Sequence, residues 1–244
     1  MAGLAAERQE YGLITAINSG FGQNNAQPFT IVGRNGTRIS GVVSAEKFEG
    51  RSSAGTEPYT DVIITLKKGG RTTKINISNK GESAPSIAGG GISGLEEAAP
   101  GLTKKFLEAA LQEYQDKGFI EGMSNLPDMY GKVSDSLKEQ IVVGNKKMGG
   151  PIHYMYIGPM NVTSSFSNGV LRVNGGFYEA RKYARENDLY LRLRKRRADQ
   201  PFTLKETDNK GMPLILGKSP SRGDKGRRIV TAKSTPRNAL TVDF

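Results

Sequence analysis

Two periods run through the chain. In GLAAERQEYGLITAINSG, near the N-terminus, the apolar residues Leu13, Ile14 and Ile17 recur at helical spacing. The spacing predicts a helix ending at Gly20, with Glu10 one turn ahead of the apolar stripe. PFTIVG and RISGVVSAEKF then read as strands separated by the turn RNGT, and EGRSSAGTE as a polar loop. The sharpest alternation follows, in TDVIITLKKGGRTTKINISNK. Gly69-Gly70 suits the centre of a two-residue hairpin turn, in which both positions need positive φ. That turn pairs Ile64 with Ile75 and Val62 with Ile77 on one face. It leaves Ile63 with Asn76, Asp61 with Ser78 and Tyr59 with Lys80 on the other. If the pairing extends, Glu57 lies opposite Glu82.

Further along, residues 83–94 read as a small-residue loop without the Gly-Lys-Ser/Thr ending of a phosphate-binding P-loop. A helix is predicted from Thr103 to Asp116, with Phe106, Leu107, Ala110 and Leu111 inward and Gly118 beyond its end. SDSLKEQIVVGN predicts a short helix capped by Ser134 or Asp135. IHYMYIGPM and GVLRV read as strands, and GGFYEARKYAREN as a short helix. DLYLRLRKRR alternates, with Leu189, Leu191 and Leu193 to one side and Tyr190, Arg192 and Arg194 to the other. FTLKETDNKGMPLILG suggests another hairpin, and the remaining basic, Pro/Gly/Ser-rich stretch a wrapping arm.

Composition narrows the chemistry. The 244 residues include no cysteine and one histidine, His153. Disulfides, thiolate metal sites and cysteine nucleophiles are excluded, and any metal would be held by oxygen, which favours Mg²⁺, Mn²⁺ or Ca²⁺. No stretch has the ~18 consecutive apolar residues of a membrane span. No basic region precedes an apolar block near the N-terminus, so a soluble protein of a reducing compartment, without a secretory signal, is expected. The net charge of +11 is unevenly placed: residues 1–177 carry 18 basic and 16 acidic residues, and residues 178–244 carry 17 and 8. A localised basic surface attracts polyanions, nucleic acid first among them, with a solvated tail or an acidic protein partner as the alternative.

Asp61 at the start of one hairpin strand and Ser78-Asn79-Lys80 at the end of the next resemble the core of the PD-(D/E)XK nuclease-like superfamily. The run YTDVII…INISNKG is similar in particular to divergent members encoded by tailed bacteriophages. The resemblance covers roughly the first 80 to 120 residues. It implies an α/β (α+β) fold with a restriction-endonuclease-like core, a mixed central sheet flanked by helices, spanning residues 1–177. A basic β-rich extension of residues 178–244 would follow.

The resemblance further implies catalytic roles for Asp61, Ser78 and Lys80, with Mg²⁺ or Mn²⁺ as cofactor. Asp61 and Glu10 would be the metal ligands, with Glu7 as the alternative helix acid. The sequence departs from the pattern at Ser78, where an acid is expected. Glu57 or Glu82 would then supply the missing charge, or the site is inert. Arg192, Arg194, Lys195, Arg196, Arg197, Arg227 and Arg228 would hold the DNA backbone without reading sequence. The implied function is metal-dependent hydrolysis of DNA phosphodiester bonds. The alternative is a non-catalytic nuclease-like structural or DNA-binding component of a phage particle. DNA is the expected partner, and other phage structural proteins or a second copy of the chain are left open. No membrane partner is expected. The implied location is the host cytoplasm or the virion.

Overall fold

A computed structural model describes residues 2–53, 57–82, 91–118, 127–194, 203–207, 213–216, 218–219, 223–224 and 228–244. The chain begins with α1 (Ala2–Gln23), β1 (Phe29–Val32), β2 (Arg38–Lys47), β3 (Val62–Lys68) and β4 (Arg71–Gly81). There follow α2 (Gly91–Ala98), α3 (Leu102–Asp116), β5 (Met129–Lys132), α4 (Asp135–Val143), β6 (Tyr154–Gly158), β7 (Ser164–Ser167), β8 (Val170–Val173), β9 (Gly176–Glu179) and α5 (Ala180–Glu186). The last elements are β10 (Tyr190–Arg194), β11 (Thr203–Thr207), β12 (Pro213–Leu216), β13 (Lys218–Ser219), β14 (Gly223–Asp224), β15 (Arg228–Ala232) and β16 (Leu240–Val242). They form two units: residues 1–53, 57–84 and 142–186 make the first, and residues 54–56, 85–141 and 187–244 the second.

The first unit is a mixed α/β layer structure around a sheet of order β7-β8-β1-β2-β3-β4-β6-β9. β1 to β4 form an antiparallel meander, and β6 then returns parallel to β4. The β3–β4 register is the one predicted by the Gly-Gly turn, Val62 opposite Ile77 and Ile64 opposite Ile75. Both turn glycines have positive φ, +52° and +78°. Val62, Ile64 and Ile77 are fully buried and join Leu13 and Ile17 of α1 in one core, with Ile75 packed against it. Full burial of each such side chain contributes about 1.5–3 kcal/mol. Gln9, Leu13 and Ile17 form the buried stripe of α1, one residue every turn.

Several local expectations change. α1 runs on to Gln23, because Gly20 is not its cap. A Cβ there would meet the ring of Phe29 at 3.3 Å, so Gly20 lets the helix approach the sheet closely. GFYE is strand β9, paired with β6 (Phe177 opposite Tyr156), and only Ala180 onward is helical. α2 begins at Gly91, inside the predicted loop. The short strands β5 and β7 were not anticipated.

The second unit holds the sheet β15-β10-β5-β16. The alternation of β10 is as expected, with Leu189, Leu191 and Leu193 buried. The C-terminal stretch is not merely an arm: β15 pairs antiparallel with β10, and β16 parallel with β5. α3 buries Phe106, Leu107, Ala110 and Leu111 as predicted. The ring of Phe106 lies 5.1 Å from that of Phe244, centroid to centroid, over Gly131, where a Cβ would come within 2.9 Å of both rings.

The turn geometry gives a direct test. Gly70→Val places a β-branched residue at φ +78°. It should lower stability by about 1–2 kcal/mol, read as a shifted urea midpoint at constant slope.

Candidate functional site

The site forms where β3 and β4 part. Their pairing stops at Val62 and Ile77, with one further bond from the Asp61 amide to the Ile77 carbonyl at 2.9 Å. The preceding residues turn away: the Tyr59 and Thr60 amides donate to the Met148 and Gly149 carbonyls. The extended register that would set Tyr59 against Lys80 and Glu57 against Glu82 is therefore not formed. The Asn79 amide, which loses its ladder partner, donates instead to Asp61 Oδ2 at 2.6 Å, and Ser78 Oγ donates to the same oxygen at 3.2 Å. Alternation along β4 keeps Ser78 and Lys80 on one face, opposite the face of Ile75 and Ile77.

Three sequence-distant elements meet around Asp61. Burial raises its pKa, opposed by the charge of Lys80 and the bonds from Asn79 and Ser78, while Glu57 raises it further. Glu10, on α1, is also raised, first by burial and next by the charge of Asp61. Its partner is Lys47 at the end of β2, with Nζ 3.4 Å from Oε2 and 5.1 Å from the centre of the Tyr11 ring. Gln9 fixes α1 here. Its Nε2 donates to the carbonyls of Lys80, Gly158 and Pro159 at 3.2, 2.8 and 3.2 Å.

Glu10, Asp61, Ser78 and Lys80 are thus brought together. Glu57 is exposed but close enough for its charge to act on Asp61. Glu82 is engaged by Arg34 at 2.5 Å, so it is held by another partner. Glu7 is exposed, and its charge acts weakly on Glu10. Among the described residues no group of three or more acidic or histidine side chains is placed to hold a metal ion. The donors present are two carboxylates and a hydroxyl, all hard oxygen ligands suited to Mg²⁺ or Mn²⁺, but short of a third charged ligand. Both Asn79 carboxamide atoms are buried without a partner among the described residues.

The predicted DNA-gripping residues lie in the second unit. Arg192 Nε donates to Asp128 Oδ2 at 2.7 Å, and the guanidinium lies over the Tyr130 ring. Much of its charge is therefore answered internally. Arg194 is half-buried and opposite Arg228 in the β10–β15 register. Lys195, Arg196, Arg197 and Arg227, and the side chain of Arg228, lie outside the described residues. Among the described residues no helix is long and apolar enough to cross a membrane.

Sequence reasoning missed Lys47 and Gln9. Gln9 left a signal, a polar residue four positions before Leu13 on an apolar stripe. Lys47 left none, because its pairing with Glu10 exists only once α1 lies on β2. No family model, curated protein or solved structure matches the chain.

The raised carboxylates make a signed prediction. A carboxyl whose folded pKa exceeds its unfolded value holds its proton more tightly when folded. Stability is then lost as pH rises from the ordinary aspartate value of 3.8 through the raised one. Asp61→Asn should therefore be more stable than wild type at pH 7, and the gain should vanish below about pH 4 in thermal melts. A purely structural Asp61, needed as a charged acceptor for Asn79, would give a loss at pH 7 instead.

Proposed function

We propose that the first unit is a restriction-endonuclease-like core, and that the site where β3 and β4 part is a divalent-metal-dependent site for hydrolysing DNA phosphodiester bonds, in a protein of phage origin. The observation that carries this reading is the convergence of Glu10 from α1, Asp61 before β3 and Lys80 at the end of β4. The motif resemblance asks for these three residues at one place. The order of α1, the β2–β3–β4 meander and the parallel strand β6 agrees with that assignment. So does the raised proton affinity of both acids, since two carboxylates held together out of water are suited to a cation.

Glu10 and Asp61 would hold Mg²⁺ or Mn²⁺. Such an ion supplies positive charge to the scissile phosphate and lowers the pKa of water. The rest falls to the chain. Lys80 presents an ammonium to the non-bridging phosphate oxygens as their charge grows. Ser78 and the Asn79 amide fix the Asp61 carboxylate, so its orientation is set before substrate arrives. Gln9 locks α1 to the ends of β4 and β6, which holds Glu10 in place. Arg194 and the basic residues that follow it in the sequence would add contacts to the DNA backbone.

A second reading has its own support. Ser78 stands where the motif has an acid, and Lys47 already answers Glu10. Two acids and two lysines balance without a cation, as in a nuclease-like fold kept for a structural or DNA-binding role in a phage particle. Fold alone does not decide between them.

Cleavage of single- and double-stranded DNA with Mg²⁺ and Mn²⁺ separates the two. Asp61→Asn should lower cleavage by about 100-fold or more while DNA binding persists. Lys80→Ala should be strongly impaired. Ser78→Asp restores a carboxylate and should tighten Mn²⁺ binding in calorimetry. If wild type and Ser78→Asp both bind DNA and neither cuts it, the structural reading replaces the catalytic one.

A further inference from the structure

The β3–β4 hairpin carries more than the acid cluster at its open end. Its tip, Lys67-Lys68-Gly69-Gly70-Arg71-Thr72-Thr73-Lys74, holds four cations and no acid, and every one of these residues is exposed. Lys74 is answered by Glu46 at 2.7 Å. Lys67, Lys68 and Arg71 have no acidic partner among the described residues. Lys68 and Arg71 stand directly opposite each other in the ladder, a like-charge pairing that costs stability. The stem of Lys68 is laid across β2 at Gly41, which has φ +81° and where a Cβ would come within 2.9 Å of Lys68 Cγ. The tip is thus built to hold unanswered positive charge.

Position adds to composition. Alternation along β4 places Thr72, Lys74, Asn76, Ser78 and Lys80 on one face, and Lys67 joins them opposite Thr72. The other face packs on the core under α1. Lys68 and Arg71, paired with each other, stand at the exposed outer end of that other face, so of the three cations Lys67 shares a face with the Asp61 cluster and the other two flank the turn. β3 is seven residues long, so the two ends lie roughly 24 Å apart. Duplex DNA covers that length in about seven base pairs.

We propose that the tip of the β3–β4 hairpin, through Lys67, Lys68 and Arg71, is a docking surface for the phosphate backbone of duplex DNA. This rests on the phosphodiesterase reading of the site, whose substrate it names as a duplex. Backbone contacts of this kind position the duplex without selecting sequence.

The test uses the full chain and a labelled duplex of about 20 base pairs, with binding measured by anisotropy across a salt series. The variant Lys67→Gln, Lys68→Gln, Arg71→Gln should bind about 10-fold or more weakly at low salt. Its slope of log K against log salt should be shallower by about 2 to 3, near 0.9 for each lost contact. Its melting temperature should hold or rise, as the Lys68–Arg71 repulsion is removed. A gain-of-charge variant, Thr72→Lys with Thr73→Lys, should bind more tightly. Unchanged affinity and slope in both variants overturn the proposal. So does a wild type that binds no duplex, or one that binds polyglutamate as tightly as DNA. Cleavage of the same duplex reads the catalytic proposal separately. Tip-dependent binding without cleavage, even by Ser78→Asp, sinks catalysis and leaves the docking surface. Cleavage with undiminished binding in the triple variant does the reverse.

Discussion

One carboxylate oxygen holds the centre of the first unit. Where β3 leaves β4, the Asn79 amide loses its ladder acceptor, and a buried amide without a partner costs about 1–3 kcal/mol. Asp61 Oδ2 replaces that acceptor and takes the Ser78 hydroxyl as well. The divergence of the strands and the placement of an acid at their parting are therefore one event. Without the side-chain bond, the strands would have to stay paired through residue 79 or leave a buried donor unanswered. Lys80 and Glu10 are arranged around the charge that results.

That charge is not comfortable. Burial disfavours the ionised form of both Asp61 and Glu10, and a neighbouring acid raises each further, Asp61 acting on Glu10 and Glu57 on Asp61. A fold optimised for stability alone would not keep two acids there. The neighbouring lysines reduce the cost without removing it, because the net direction of both shifts is upward. The hairpin tip repeats the theme, with a cross-strand Lys68–Arg71 pair that no acid relieves. Charge held at a cost in stability, at both ends of one hairpin, is the physical pattern from which the functional proposals are drawn.

Local pattern carried much of the fold. The alternation of residues 61–80 and the Gly-Gly turn set the β3–β4 register before any long-range contact is known, because a one-residue slip would expose Val62, Ile64 and Ile77. The same holds for β10 and for the inner stripe of α3. Where pattern misled, the cause was contact across the chain. Gly20 resembles a helix end in isolation, but it is the point at which α1 touches Phe29. GFYE is too short to declare a period, and its pairing with β6 makes it a strand. β15 and β16 sit in a basic, Pro/Gly/Ser-rich stretch, and their strand character comes from β10 and β5.

The candidate site divides in the same way. The sequence by itself determined that Asp61, Ser78 and Lys80 share a face, since turn type and a period of two residues suffice for that. It also determined the absence of thiolate chemistry and a net charge of +11. Only the tertiary structure decided which acids belong. Glu82 was drawn to Arg34, Glu57 was left exposed nearby, and Glu10 was brought to Asp61 with Lys47 as its partner. Periodicity reports which side of its own element a residue occupies. Which element comes to lie against that side is settled by packing, and here by Gln9, which ties α1 to the carbonyls at the ends of β4 and β6.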